Sequence, residues 1–486
     1  MARPGKIIEA EQRSSIQEVD GTLAGRLGRM SLGRQVITLA IWPLLEQILS
    51  FMVNTVDLIL ATRMADGDTR VAVMDALGLG GYAMWLMMIL QGAVATGVLA
   101  IVSRAAGARK PEEARQGLVQ GILAGLFMGI LSGLIIRLSL PQIIKFFGLS
   151  DAASEYAFDY LSILAWSCPC LGIFYACPNA LRAIGDTRTP FFIMLFINIC
   201  NMILSASFVF LDPPLGGMGI AGLAWGSLLA WLLGTLAVVI LLSRKYESES
   251  EEITLTLRRA DWTPQREMMV RIGRVGLPQG VDMLGMWIIH AYVLRFITGL
   301  AFEGALGAHF IAIRVESLSF LPGFAIGTAT ATLVGQYLGA NNPKMALKAL
   351  RTAWLLALSF MSTIGIFFLL APEIIVRLIL PETDTQATQL IAVAGPLVFI
   401  CGIFQPALAT TIVLKTCLRG AGATRIVMTC SFTCLILIRI IGITVYDAYF
   451  DLTLVKIWTF MSIDLFIQAG LFITIAFRGK WLTTKV

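Results

Sequence analysis

Long apolar runs, broken by short polar stretches, recur along the whole of this 486-residue chain. Crossing ~30 Å of hydrocarbon takes about 20 apolar residues at ~1.5 Å each. Runs of that length lie near Gln35 to Ala61, Gly80 to Ser103, Gln116 to Leu140, Glu155 to Pro178, Thr189 to Leu211 and Gly219 to Ser243. After a polar stretch from Arg244 to Glu267 come others near Arg271 to Thr298, Ala305 to Gly335, Leu347 to Ala371, Ala387 to Leu414, Arg425 to Tyr446 and Leu454 to Phe477. The pattern predicts an all-α polytopic membrane protein of twelve transmembrane helices. It divides into a tail (1–34), a first six-helix lobe (35–243), a linker (244–270), a second lobe (271–478) and a short tail (479–486).

Composition supports lipid as the solvent: 57% of residues are hydrophobic and 14% charged, against roughly one-quarter charged in a soluble domain. The formal charge of +6 is scattered over connections, so no nucleic-acid surface is implied. The tails and even-numbered connections hold 28 of the 37 lysines and arginines and the odd-numbered ones 7, which places both termini in the cytoplasm and the chain in the inner (plasma) membrane. Residues 1–34 are polar and the first apolar run is too long for a signal core, so no cleavable leader is expected. The linker segment SESEE, Ser248 to Glu252, reads as part of a solvated connector. Almost all eight cysteines sit in apolar runs without a CxxC pair or histidine cluster, which predicts buried hydrophobes and neither disulfides nor a cofactor site.

Two short motifs occur twice. GARKPEEA (Gly107 to Ala114) follows the second helix and GANNPKMA (Gly339 to Ala346) the eighth, 232 residues on. LRAIGDTRTP (Leu181 to Pro190) follows the fourth and LRGAGATR (Leu418 to Arg425) the tenth, 237 on. Each half also opens on a helix with an early proline, Pro43 and Pro278. Because six helices return the chain to the side it left, the copies are related by a pseudo-two-fold axis along the membrane normal, where transporters place cargo.

Ionisable groups at bilayer depth cost about 2.5–3.5 kcal/mol on insertion scales and are functional candidates. Glu46, Ser50, Asn54 and Asp57 recur at i, i+4, i+8 and i+11 on one face of the first helix. Two carboxylates without a neighbouring permanent cation read as an ion or proton site, with a polar packing seam as the alternative. Asn198, Asn201 and Ser205 share a face of the fifth helix, and Ser227 lies early in the sixth. With the first and fifth helices running outward and the sixth inward, Asp57, Ser205 and Ser227 share the outer half of the bilayer. Such a set suits Na⁺ at Asp57, Asn201 and Ser227, or a proton on a desolvated carboxylate. The second half offers Asp282 and His290 on its first helix, Glu316 on its second and Gln405 on its fourth as cargo or proton candidates. For Glu316 the alternative is an ion pair with Arg314 or Arg439, for His290 a packing role, and Asp464 is another candidate partner of Arg439. No HExxH, GxSxG or paired catalytic aspartate marks an enzyme.

The segments NTVDLILA (Asn54 to Ala61), LRAIGDTRTP and RVESLSFLPGFAIGTATATLVGQYLGA (Arg314 to Ala340) resemble the multidrug and toxic compound extrusion (MATE) family of the MOP flippase superfamily, over roughly Gln35 to Phe477. The resemblance implies two lobes in a V around a central cavity. It implies a monomeric antiporter, coupled to Na⁺ or H⁺, that exports organic cations or amphiphilic drugs by rocker-switch alternating access. Asp57 matches the family's first-helix acid, Asn201 the asparagine of its fifth-helix NxxLD pattern and Ser227 its sixth-helix threonine position; Asp282 resembles an acid following the seventh-helix proline in some members. The pattern's aspartate is replaced here by Ser205, and no acid stands in the tenth helix, where Gln405 is the nearest polar residue. A flippase for lipid-linked oligosaccharides or polyisoprenoid sugars is the alternative; it calls for cations lining the cavity, whereas the membrane charges here read as mostly acidic.

Overall fold

The computed structural model of the protein describes residues 23, 25–64, 67–147, 149–213, 216–244, 255–300, 304–380 and 385–484, and at some of them, 51–58 included, the backbone alone. All regular structure among these residues is helical. The first half comprises α1 (Leu32–Arg63), α2 (Gly67–Gly107), α3 (Pro111–Phe147), α4 (Asp151–Ala183, with a 3-10 turn at Ala165–Ser167), α5 (Arg188–Phe210) and α6 (Gly219–Ser243). The second comprises α7 (Arg266–Thr298), α8 (Ala305–Gly339), α9 (Pro343–Leu370), α10 (Thr385–Gly420), α11 (Thr424–Tyr449) and α12 (Leu454–Arg478). Among the described residues, eleven helices are long and apolar enough to span a bilayer; α1, at 32 residues, also has the length.

Several helices outrun their apolar windows. α2 starts thirteen residues before Gly80, α4 runs through Pro178 to Ala183, and α10 passes Leu414 to end at Gly420. Hydropathy ends where the side chains turn polar, but backbone hydrogen bonding continues, and this brings Arg182, Lys415 and Arg419 into helices. The reading of the membrane charges as mostly acidic is thereby corrected.

The repeat is written in the backbone. Arg109 and Asn341, 232 residues apart, both adopt φ 54°, a left-handed conformation uncommon outside glycine. They end α2 and α8 with matching hydrogen bonds, Lys110 N to Ala105 O and Asn342 N to Tyr337 O, each 2.9 Å. Gly185 (φ 95°) and Gly422 (φ 85°) do the same after α4 and α10, with Asp186 N bonding Leu181 O and Ala423 N bonding Leu418 O.

Leu23 and Trp481 share one core cluster with α1, α8, α9 and α12, so these two residues lie on one side of the molecule, the terminal side. There the halves meet. A Cβ on Gly107 would sit 1.8 Å from the Gln336 carbonyl oxygen, and one on Gly339 2.1 Å from that of Arg104; only glycine lets α2 and α8 cross with backbones in contact. Arg104 Nη2 donates to the Ala421 carbonyl just past α10 (3.0 Å), and Gln336 Nε2 to the Ala183 carbonyl ending α4 (2.8 Å). Arg104 and Gln336 are again 232 residues apart, and each satisfies a helix-end carbonyl of the opposite half. Tyr337 Oη donates to Gln35 Oε1 (3.0 Å) and Arg271 pairs with Glu113 (2.8 Å) on the same side.

The linker is only partly a free connector. Residues 245–254, with the SESEE segment, lie outside the described residues. From Leu255 on the chain is docked: Leu255 is buried, Asp261 pairs with Arg115 at 2.5 Å, and Gln120 Nε2 donates to the carbonyls of Asp261 and Thr263. The expectation of a solvated connector is corrected over this stretch, because α3 carries buried polar side chains that need its backbone as partners.

Candidate functional site

In the first lobe α5 and α6 bring three of the expected residues together. Asn201 Nδ2 donates to Ser227 Oγ at 2.9 Å and lies 3.4 Å from Ser205 Oγ; Asn201 is 6% exposed and Ser205 0%. Gly226 makes this possible, since a Cβ there would fall 2.3 Å from Ser205 Oγ and 2.6 Å from its backbone nitrogen. Asn201 Oδ1 and Asn198 Nδ2 are buried without a hydrogen-bond partner among the described residues, a costly condition for an amide. An amide and two hydroxyls in contact supply oxygens of the kind a hard cation takes. The other half of the expected site, Asn54 and Asp57, lies on α1, but their side chains are outside the described residues.

Glu46 departs from expectation. The Arg182 Nη2 atom lies 2.7 and 2.6 Å from its two carboxylate oxygens. The reading of this α1 face as lacking an adjacent permanent cation is corrected for Glu46: α4 extends past its apolar window and delivers the guanidinium. Asp282 on α7, 2% exposed, is likewise held by Arg419 of α10 at 2.5 Å. These pairs are repeat mates. Arg182 and Arg419 are the shared arginines of the two LR motifs, and their acids stand three and four residues after Pro43 and Pro278. The duplicated arginine was the signal in the sequence; its place in a helix rather than a connection was not.

The rest of the second lobe forms a polar ladder. Arg439 Nε donates to Asp464 Oδ2 (2.6 Å) and Gln468 Nε2 to Asp464 Oδ1 (2.7 Å), so of the candidate partners of Arg439 it is Asp464 that holds it. Arg439 sits in a π-helical stretch, Leu435–Gly442, a geometry rare in helices and frequent at functional positions. Glu316 is within electrostatic reach of Arg439 without a hydrogen bond to it. One turn on, Ser319 Oγ donates to the Glu316 carbonyl (2.6 Å) and accepts from Gln405 Nε2 (2.8 Å), which assigns Gln405 to the α8–α10 seam. His290 stacks on His309 (5.9 Å between centroids) and meets Trp85 of α2 edge-on (6.3 Å), while His309 Nδ1 accepts from Trp458 Nε1 (3.1 Å). Among the described residues no group of three His, Cys, Asp or Glu side chains could hold a metal.

Two stretches, residues 43–206 and 278–445, match the family model described as MatE. The chain belongs to the MatE family. Each match begins at the proline that opens its half, so the family unit and the internal repeat coincide. The resemblance read from the sequence therefore holds, and the protein is a multi-pass member of a transporter family.

Relatives match nearly end to end. A probable multidrug resistance protein NorM of Thermotoga maritima is 28% identical over 92% of this chain and 93% of its own. One of Rhodopseudomonas palustris is 26% identical over 89% of each. Among solved structures, a MOP superfamily transporter from Pyrococcus furiosus, described as having a binding pocket of reverse polarity, superposes with a TM-score of 0.84 at 19% identity, covering 96% of this chain and 99% of that one. An outward-facing multidrug resistance MATE transporter gives the same TM-score, identity and coverage. These matches bear out the twelve-helix, two-lobe fold class.

Proposed function

We propose that this MatE protein is a Na⁺- or H⁺-coupled antiporter that exports organic cations or amphiphilic drugs and toxic compounds across the plasma membrane, with both termini cytoplasmic. The observation that carries the coupling half is the buried Asn201, whose Nδ2 meets the hydroxyls of Ser205 and Ser227 while its Oδ1 has no hydrogen-bond partner among the described residues. A cation held there and by Asp57, or a proton on Asp57, stabilises one posture of the first lobe and thereby lowers affinity for cargo. Coupling requires that ion and cargo differ in which posture they favour. The seam of Arg104, Gln336, Gly107 and Gly339 closes the terminal side, so this conformation is read as outward-facing. Rocking about the α2–α8 crossing then exchanges access.

The buried arginines give the flippase reading little support, because Arg182, Arg419 and Arg439 are each neutralised by a carboxylate. Proteoliposomes loaded with rhodamine 123, with Na⁺ and H⁺ gradients imposed separately, test the proposal. Efflux driven by one gradient and abolished by its collapse is expected, whereas transport indifferent to both would refute it.

A further inference from the structure

From Leu255 to its last residue the linker is fastened to the first lobe. Leu257 N bonds back to Leu242 O at the end of α6 (2.9 Å), Leu255 is fully buried in a core built mainly by α2 to α6, and Arg258 lies 3.9 Å from Glu112. Asp261 is paired with Arg115, and the buried Gln120 of α3 closes the strap. Its Nε2 donates to the carbonyls of Asp261 (3.1 Å) and Thr263 (2.9 Å), and its Oε1 accepts from Gln265 N (2.9 Å).

Gln265 is where the chain changes lobes. Its N–H is held by α3, whereas its carbonyl accepts from Met269 N (3.0 Å) in the first turn of α7. Its backbone is extended, at φ −105° and ψ 103°, immediately before the helix that begins at Arg266. Two soft torsions therefore separate a nitrogen fixed to the first lobe from a helix that enters the second. Beside this junction a cavity of about 450 Å³ lies between the starts of α3 and α7, with Gln116, Gln265, Met268 and Arg271 in its wall. Close-packed interiors resist a change of angle; here there is room for one.

The repeat shows that a six-helix unit folds without such a clamp. At the 232-residue offset Arg115 and Gln120 correspond to Leu347 and Thr352 of α9, and neither could hold a strap by these bonds.

Resting on the reading of the chain as a rocking exporter, we propose that Gln265 is the hinge between the lobes on the linker side, and that Gln120 is a positioning residue that confines the turn to it by fixing residues 255–265 to α3. The strap travels with the first lobe. Hinges of this kind are a few residues at the ends of elements that absorb the change in φ and ψ. Without the clamp the strap is slack, and closure of the terminal side no longer fixes the angle at which α7 meets α3.

Cysteine pairs at neighbouring positions make the test. In a background with the eight native cysteines replaced, Glu112→Cys/Arg258→Cys joins the strap to α3. Glu113→Cys/Arg271→Cys joins α3 to α7, where the native side chains meet at 2.8 Å. Each full-length variant is crosslinked with a bis-methanethiosulfonate reagent, reconstituted, and assayed for gradient-driven efflux of rhodamine 123 before and after reduction. The hinge predicts that the first crosslink leaves the rate unchanged and that the second lowers it to the level of empty liposomes until it is reduced. Gln120→Leu, monodisperse on size exclusion, should slow efflux about tenfold, and the Glu112→Cys/Arg258→Cys crosslink should restore part of the loss, which a defect within α3 would not allow. Arrest by the first crosslink shows the strap sliding on α3 and overturns the proposal. So does full activity with the second, which puts the turn beyond Arg271, at Pro278. A Gln120→Leu loss that the crosslink leaves untouched overturns the role given to Gln120. In each of these cases the reduced protein still transports and the exporter reading survives; a wild type that moves no dye under either gradient sinks that reading and the hinge with it.

Discussion

Arg182 holds both carboxylate oxygens of Glu46 with a single nitrogen, at 2.7 and 2.6 Å, and so ties the middle of α1 to the last turn of α4. Arg419 and Asp282 repeat the tie between α10 and α7. Removing one member of such a buried pair strands the other charge, at a cost of about 3–5 kcal/mol, while replacing both with apolar groups of similar size is nearly neutral. We therefore expect Arg182→Met alone to lower the unfolding temperature in detergent sharply and Arg182→Met with Glu46→Leu to recover most of the loss. A double-mutant cycle by thermal unfolding checks this. Additive losses would show that the pair is not coupled.

The twin helix-end contacts across the halves should set the balance between postures. Each is a single hydrogen bond, worth about 1 kcal/mol net. Arg104→Ala combined with Gln336→Ala should raise the population open at the terminal side roughly fivefold to thirtyfold. Spin labels at Glu112 and Lys344, on the terminal-side ends of the two halves, with the native cysteines replaced, report the shift as a longer distance population. An unchanged distribution would assign the closure to the glycine crossing alone.

The α5–α6 contact is a sharper test of the first-lobe cluster. Gly226→Ala places a Cβ against the backbone of Ser205, so the helices must separate, at about 1–3 kcal/mol, and Ser227 must leave Asn201. Trimming Ser205 to alanine as well cannot relieve a clash with backbone atoms. Gradient-driven efflux should fall in Gly226→Ala and stay low in the double variant; recovery on removing the Ser205 hydroxyl would show that the contact is with the side chain only.

Much of the architecture was legible because lipid imposes one rule: twenty apolar residues or a loop. The halves, the repeat and the meeting of Asn201, Ser205 and Ser227 follow from periodicity and motif spacing. What escaped lay where hydropathy and hydrogen bonding part company. Lys415 and Arg419 read as a basic connection, yet α10 continues to Gly420, so the partner of Asp282 was hidden. Nothing in LILIRIIG announces the π-helical stretch from which Arg439 reaches Asp464. Likewise, Asp261 reads as solvated until α3 is seen to offer Arg115.

The account turns on the first-lobe polar cluster driving transport, and Asp57→Asn in proteoliposomes tests it most directly. With insertion and folding verified by size exclusion, efflux of rhodamine 123 under the driving gradient should drop to the level of empty liposomes, while binding of the dye persists. Gradient-dependent efflux at the wild-type rate from Asp57→Asn would contradict it.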